Sequence, residues 1–439
     1  MAQKIGIRRE DMYHWERRTP LVPGDLSTLS SEGSLVFLVQ SSEKRAFSGE
    51  EYRSAGMEVA DDLADCPIII GLKEIPVPVL ERDKVYVFFS HTIKGQPANM
   101  PMLQRCLDLG CTIIDYERIV DETGRRLIFF GNYAGLAGAI DTLWALGKRL
   151  QWEGIDTPLA DLKKASEYAD LAEVKREISM IGERIASDGL PEDLTPLVIG
   201  VTGYGNVSKG AQEILDLLPV AEWSPKALLD SSRPSVDPTK PIVKIVFREE
   251  DTVLPLAEDH AFDLKEYYDH PERYRAAFER YLPGFHALIN CIYWEPKYPR
   301  LVTKESMRTL YADGQPTLRV IGDISCDIDG AVETTVQATE PDDPIYVYDA
   351  KTGEIAFGVE GHGPVMMAVE ILPTELPRES STYFSRILTQ FIPAIAAADY
   401  AGDFDALDLP PELKRAMICH RGKLTPDYQY LSKYLDAAA

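Results

Sequence analysis

The sequence predicts an α/β protein of two domains, each a parallel sheet flanked by helices. Three observations predict it. Short apolar runs alternate with amphipathic segments along most of the chain, as strands buried on both faces do when helices pack over them. The chain has 439 residues, more than one hydrophobic core usually spans. A glycine-rich turn, "VTGYGNVSKGAQ", joins an apolar run to a helical segment in mid-chain, within a second α/β series.

The first series contains the strands "KIGIRRE", "SLVFLVQ", "CPIIIGLKE", "VYVFFSH" and "CTIIDYE". Amphipathic pieces such as "NMPMLQRCLDLG" (Asn99 to Gly110) lie between them. A long helix follows over roughly Ala134 to Gln151, and its small residues suit close packing. A polar helical stretch near Leu162 to Ala186 leads to the second series, "PLVIGVTGYG", "PIVKIVFREE", "ALINCIYWE" and "LRVIGDISCD". From about Gly353 the chain changes character. A turn-rich segment precedes one more helix, "STYFSRILTQFIPAIAAA".

Composition narrows the function. Lys plus Arg number 46 against 70 Asp plus Glu, a net charge of −24. Such a chain, with no basic block, is a poor nucleic-acid binder, and anionic small molecules would need local positive groups. No apolar run approaches the length of a membrane span, and the N-terminus does not read as a secretory signal. Six scattered cysteines without a CxxC pair suggest reduced thiols in a cytoplasmic protein, with neither a disulfide frame nor a zinc site.

Ligands of open parallel sheets bind beyond the carboxyl ends of the strands. In the first series those ends carry Arg8 and Arg9, then Glu16, Arg17 and Arg18; Lys73 and Glu74; His91 with Lys94 close behind; and Asp115 with Tyr116. Converging arginines and lysines with one histidine suit a substrate that bears carboxylates and exchanges a proton. Each residue alone also fits an ordinary loop start or a solvated charge cluster.

In the second series Gly203-x-Gly205 follows a strand and opens a helix, the context required of a dinucleotide-binding turn. Gly203 permits the turn, and Gly205 lets a pyrophosphate approach the backbone. Asn206 and Val207 start the helix. Ser208 stands where a third glycine is usual, and with Lys209 is within reach of phosphate. The ribose-reading residue is expected near "VAEWSP", where Glu222 favours a free 2′-hydroxyl and Lys226 a 2′-phosphate. Ile292 lies in a later loop expected near the cofactor. Asp323 and Asp327 read as a substrate-amine site or an active-site wall in preference to a metal site, because no further oxygen ligands are spaced for a cation.

"RREDMYHWERRTPLVP", "GLKEIP", "FFSHTIKGQPANM", "VTGYGNVSKGAQ", "INCIYWEPKYPRLVT", "GDISCDIDGAVETT" and "ILPTELPRESS" occur in this order. Together they resemble the lysine–2-oxoglutarate reductase portion of the aminoadipic semialdehyde synthases over roughly residues 5 to 430. More distantly they resemble the lysine-forming saccharopine dehydrogenases, and more distantly still alanine dehydrogenase and the nucleotide-binding part of transhydrogenase. The resemblance implies two Rossmann-like domains with a cleft between them. One is built from residues 1–133 and 354–439, and a dinucleotide-binding domain of residues 134–353 is inserted in it. It implies NAD(H) or NADP(H) as cofactor, no metal, and lysine, 2-oxoglutarate and saccharopine as small-molecule substrates.

The resemblance places the catalytic pair on Lys73 and His91, and substrate binding on Glu16, Arg18 and Asp323; the strand-end reading adds Arg17 and Lys94 as expected substrate contacts beside them. Asp323 is also expected to border the cofactor. The chain lacks a saccharopine-oxidising second half, which reads as a stand-alone reductase. "GAVE" and "GYG" depart from the family pattern and leave the amine open. Two other readings stand beside this one: an amino-acid dehydrogenase of alanine-dehydrogenase type, and a non-catalytic nucleotide-binding subunit of transhydrogenase type.

Overall fold

A computed structural model of the chain describes residues 3–32, 35–230, 234–257, 259–314 and 316–438. The chain divides into two compact units, Met1–Phe130 with Pro377–Ala439, and Gly131–Leu376. In chain order, the first unit begins with β1 (Gln3–Ile7), β2 (Leu35–Gln40), β3 (Glu58–Ala60), β4 (Ile68–Ile70), β5 (Val85–Phe88) and β6 (Thr112–Asp115). The second unit holds β7 (Leu197–Thr202), β8 (Val220–Glu222), β9 (Ile242–Phe247), β10 (Val253–Pro255), β11 (Tyr274–Ala276), β12 (Ala287–Asn290), β13 (Val320–Asp323), β14 (Ile345–Tyr348), β15 (Ile355–Phe357) and β16 (Val365–Met367). The chain then returns to the first unit with β17 (Met417–His420) and β18 (Lys423–Leu424).

The first sheet has eight strands in the order β18-β17-β6-β5-β4-β1-β2-β3. Its pairs from β6 to β3 are parallel, while β17 and β18 add an antiparallel edge. The second sheet also has eight strands, in the order β15-β14-β16-β13-β12-β7-β9-β8, parallel from β16 to β8. β10 and β11 form a separate antiparallel pair. The apolar runs account for the parallel cores. Every residue of β4, β5 and β7 is buried. In β7, Leu197, Ile199 and Val201 face one cluster and Val198 the other, so both faces of the second sheet are covered.

Helix Asn206–Leu215 packs tightly on helix Gly131–Trp152. A Cβ on Gly210 would stand 2.1 Å from the Asn132 carbonyl oxygen, and one on Gly135 would stand 1.9 Å from that of Val207. Two glycines therefore let the backbones touch. The close packing expected of a third glycine at position 208 falls to Gly210.

Three sequence expectations shift. Helix Leu171–Asp188 starts later than Leu162, because the Asp170 carboxylate caps it by accepting the Glu173 N–H at 2.7 Å. The last long helix is two, Pro377–Leu388 and Ile392–Ala397, with Pro393 opening the second. The return to the first unit falls after Leu376 and not at 353, because residues 354–376 supply β15 and β16 to the second sheet.

Candidate active site

In the first unit β1 lies between β2 and β4, and the strand order runs outward in opposite directions from there. A crevice at the carboxyl ends of β1 and β4 follows from that reversal. Glu10, just beyond β1, is buried and spans it. Its Oε1 accepts the Leu72 N–H at 2.8 Å and its Oε2 accepts the Lys73 N–H at 3.0 Å. Burial pushes its carboxyl up to about 7, against the pull of Arg8. The backbone of Lys73 is thereby fastened at the switch point, with its side chain half-buried. Glu10 escapes notice in the sequence, where only its place after "IRR" hints at it.

Glu16 and Arg18 form a buried two-point pair. Arg18 Nε donates to Oε1 at 2.8 Å and Nη2 donates to Oε2 at 2.6 Å. The Arg18 guanidinium also lies over the Phe130 ring, 4.5 Å from its centroid. Burial opposes ionisation of Glu16, yet Arg18, with Lys73 also contributing, holds its carboxyl below the ordinary range. Glu16, Arg18 and Lys73 thus share one electrostatic environment.

His91 leaves the neighbouring strand β5. Its approach is held by Asp115 at the end of β6, whose Oδ2 accepts the Ser90 N–H at 3.1 Å and the Ser90 hydroxyl, and whose Oδ1 accepts the Glu117 N–H at 2.8 Å. Burial pushes Asp115 up to about 6. His91 itself adopts φ +48°, a left-handed conformation uncommon for a residue with a side chain. The Asn99 amide secures the turn by donating to the His91 carbonyl at 3.1 Å. The imidazole Nδ1 meets Glu74 Oε1 at 2.5 Å. Burial is the largest influence on Glu74 and works to raise it, but the hydrogen bond from His91 together with nearby positive charge and a backbone N–H holds the carboxyl low. A carboxylate on Nδ1 makes that nitrogen the donor and leaves Nε2 to exchange protons. The structure therefore brings together Glu74 and His91 beside Lys73, whose charge also helps hold the Glu16 carboxyl low.

It does not bring in two residues expected beside them. The Arg17 side chain is exposed, and its carbonyl accepts the Ala46 N–H at 2.8 Å. Lys94 is exposed on the turn closed by Gly95 N–H to Thr92 carbonyl at 2.8 Å.

In the second unit β7 lies between β9 and β12, again a point where strand order reverses. Gly203 takes φ +84° at the end of β7, and Gly205 caps helix Asn206–Leu215. A cavity of about 380 Å³ opens there, lined by Gly203, Gly205, Asn206, Val207, Ile292 and several aromatic side chains. A Cβ built on Gly205 meets no protein atom within 4 Å, so the space beside that backbone is open. A helix N-terminus, a bare glycine backbone and an aromatic-walled cavity fit a dinucleotide.

Three expected cofactor or substrate contacts need correction. Ser208 is buried, and its hydroxyl accepts from the Gln212 amide at 2.9 Å, one turn along the helix. Glu222 sits on β8, which is the sheet edge, and pairs with Lys244 at 2.8 Å; β9 intervenes between it and β7. Asp323 is buried with both oxygens engaged, accepting the Asn290 amide at 2.8 Å and the Thr335 hydroxyl at 2.6 Å. Asn290 in turn accepts the Thr202 hydroxyl at 2.7 Å. This chain of side chains ties the carboxyl ends of β7, β12 and β13, and burial pushes Asp323 up to about 6. Its carboxylate braces the turn through these side chains.

Residues 6–137 match the family model for the alanine dehydrogenase/PNT N-terminal domain. Over 98% of its length the chain is 37% identical to an alpha-aminoadipic semialdehyde synthase of Arabidopsis thaliana and 35% identical to a mitochondrial one of Bos taurus. It spans 41% and 47% of those relatives, less than half of each. It is 28% identical to a saccharopine dehydrogenase [NAD(+), L-lysine-forming] of Neurospora crassa, covering 88% of this chain and 90% of that one. Among solved structures, an L-alanine dehydrogenase superposes with a TM-score of 0.62 at 15% identity over 100% of both chains. A transhydrogenase from Sinorhizobium meliloti does so with a TM-score of 0.57 at 15% identity, covering 96% of this chain and 100% of that one. At that identity these two share the fold. The chain is thus similar along almost its whole length to the alpha-aminoadipic semialdehyde synthases and, more distantly, to the lysine-forming saccharopine dehydrogenases, and its residues 6–137 match the alanine dehydrogenase/PNT N-terminal domain.

Proposed function

We propose that the chain is a nicotinamide-dependent oxidoreductase acting on a CH–NH bond, which joins L-lysine and 2-oxoglutarate reductively to saccharopine or runs the reverse. The observation that carries this reading is the His91–Glu74 contact beside Lys73, at the carboxyl ends of β4 and β5. The names of its homologues support the substrate.

Gly203, Gly205, Asn206, Val207 and Ile292 would hold the dinucleotide, whose nicotinamide supplies the reducing equivalent when bound. The chain's own residues handle protons and carboxylates. His91 Nε2 moves the proton as the ε-amine adds to the ketone and as water leaves the carbinolamine. Lys73 is the second acid–base group, its backbone held by Glu10 and its charge balanced by Glu16. Arg18, with one edge of its fork held by Glu16, turns its remaining donors to a substrate carboxylate. We place the protein in the cytoplasm. The six free cysteines agree with a reducing compartment, and no helix among the described residues is long and apolar enough to cross a membrane.

Oxidation of NADH and NADPH, followed with 2-oxoglutarate and each of lysine, ornithine, ammonia and no amine, tests the reading. Turnover with lysine alone supports it. Turnover with ammonia and a short oxo acid moves the assignment to an amino-acid dehydrogenase, and tight dinucleotide binding without turnover moves it to a nucleotide-binding subunit.

A further inference from the structure

The second unit buries two carboxyl groups together where the chain enters and leaves it. Asp141 lies on helix Gly131–Trp152, whose first residue is also the first of the unit. Glu375 closes the helical turn Leu372–Glu375 and directly precedes Leu376, the last residue of the unit. The turn lies close on the helix: a Cβ on Gly138 would stand 3.1 Å from Leu372 Cδ1. A second turn, Ala165–Glu167, packs against both. Asp141 is 0% exposed and Glu375 3%.

Hydrogen-bond accounting shows what the pair lacks. Asp141 Oδ1 accepts the Ala165 N–H at 2.8 Å. Asp141 Oδ2 and both carboxyl oxygens of Glu375 are enclosed without a hydrogen-bond partner. Carboxylates only accept, so two anions here would leave these oxygens unsatisfied and repel each other away from water. A single proton removes both penalties, because a carboxylic acid donates where a carboxylate cannot. The other charged groups facing the pair do not take its place. Lys164 favours ionisation of both carboxyls, but its ammonium is turned to the Asp342 carbonyl at 3.0 Å. Glu167 accepts the Lys164 N–H at 3.1 Å and opposes ionisation of Asp141. Burial raises Asp141 to about 6, against its hydrogen bonds with Glu375 and the Ala165 N–H. Burial, reinforced by the Asp141 charge, holds Glu375 well above the ordinary carboxylate range against the nearby Ser166 N–H and Lys164.

We infer that Glu375 is a neutral acid whose O–H donates to Asp141 Oδ2, so that one shared proton latches the exit turn of the second unit to its entry helix and is released as the pH rises. This holds whatever reaction the protein catalyses. The unfolded chain gives up the same proton near 4.5, the ordinary glutamate value, so the latch's contribution is full below that value and declines as pH climbs above it. The test is infrared spectroscopy of the full chain, as the difference between the unaltered protein and Glu375→Gln, which cancels the other buried acids. At pH 7 the difference shows the band of one neutral carboxyl. Asp141→Asn removes the neighbouring charge and lowers the pH at which that band disappears by about one unit or more. Melting temperatures give the second readout. Glu375→Gln, whose amide donates to Asp141 without titrating, loses at least about 3 °C less than the unaltered protein between about pH 6 and about pH 9. Its melting transition at pH 6 shows that it folds. Three results overturn the inference: no neutral-carboxyl band at pH 7, a band whose disappearance is unmoved by Asp141→Asn, or parallel melting curves. A missing band with a melting temperature raised by sodium, potassium or magnesium chloride would instead make the pair a cation site.

Discussion

His91 Nδ1 and Glu74 Oε1 meet at 2.5 Å across the ends of the neighbouring parallel strands β5 and β4. The contact fixes the tautomer of an imidazole whose backbone already sits at φ +48°. Two local costs, a left-handed backbone and a largely buried carboxylate, serve to aim one ring.

Glu74→Gln keeps the shape and removes the charge. We expect turnover to fall about 10- to 100-fold, the rate equivalent of a charge-assisted hydrogen bond of about 1.5–3 kcal/mol, with the cofactor Kd unchanged. Steady-state kinetics with a binding titration check this; an unchanged kcat would leave Glu74 without the orienting role.

The Glu16–Arg18 pair is buried on both sides. Arg18→Met leaves a carboxylate enclosed without its partner and should cost about 3–5 kcal/mol, while the Glu16→Leu, Arg18→Met double variant recovers most of it. Denaturant midpoints for the three proteins decide the matter. Glu16 lies below its ordinary value, so the pair's contribution is present above the unfolded carboxylate value and is lost only as pH falls through the lowered one.

Two glycines near one helix start have opposite roles. Gly205→Val projects into open space and should raise the dinucleotide Kd strongly while thermal stability holds. Gly210→Ala drives a methyl group to 2.1 Å from the Asn132 carbonyl oxygen and should destabilise by about 1–3 kcal/mol or more. If Gly205→Val binds the dinucleotide normally, the cavity is not its site.

Glu10 carries a pH signature of the opposite sign to Glu16. Its folded value is raised from 4.5 to about 7, so the folded state holds a proton that the unfolded state has released between those values. Stability therefore declines as pH rises through that window, by an amount on the order of 3 kcal/mol at most. Melting temperatures of Glu10→Gln and the unaltered protein, compared from about pH 5 to about pH 8, should show the variant losing less on the way up. Parallel curves would contradict the assignment.

What the sequence shows and hides follows from locality. The turn from β7 through Gly203 to helix Asn206–Leu215 is contiguous, so its chemistry is visible in one string of residues. Lys73 and His91 are visible for the same reason, each directly following an apolar run. Glu222 misleads because strand order is not local: nothing in "VAEWSP" says that β9 will insert between β8 and β7. Asp323 misleads because its partners, Asn290 and Thr335, come from other segments and turn an apparent ligand into a brace. Glu10 stays hidden because its work is done on the backbone of residues more than sixty positions away, as Lys73 shows.

The most direct measurement is mass-spectrometric identification of the product formed from lysine, 2-oxoglutarate and the reduced dinucleotide, with His91→Ala run alongside. The unaltered protein should yield saccharopine, which is lysine joined to 2-oxoglutarate with loss of water and gain of two hydrogens. The variant should form it about 10²- to 10⁴-fold more slowly at unchanged dinucleotide affinity. Absence of that product, or its formation by the variant at the full rate, would contradict the assignment of this site.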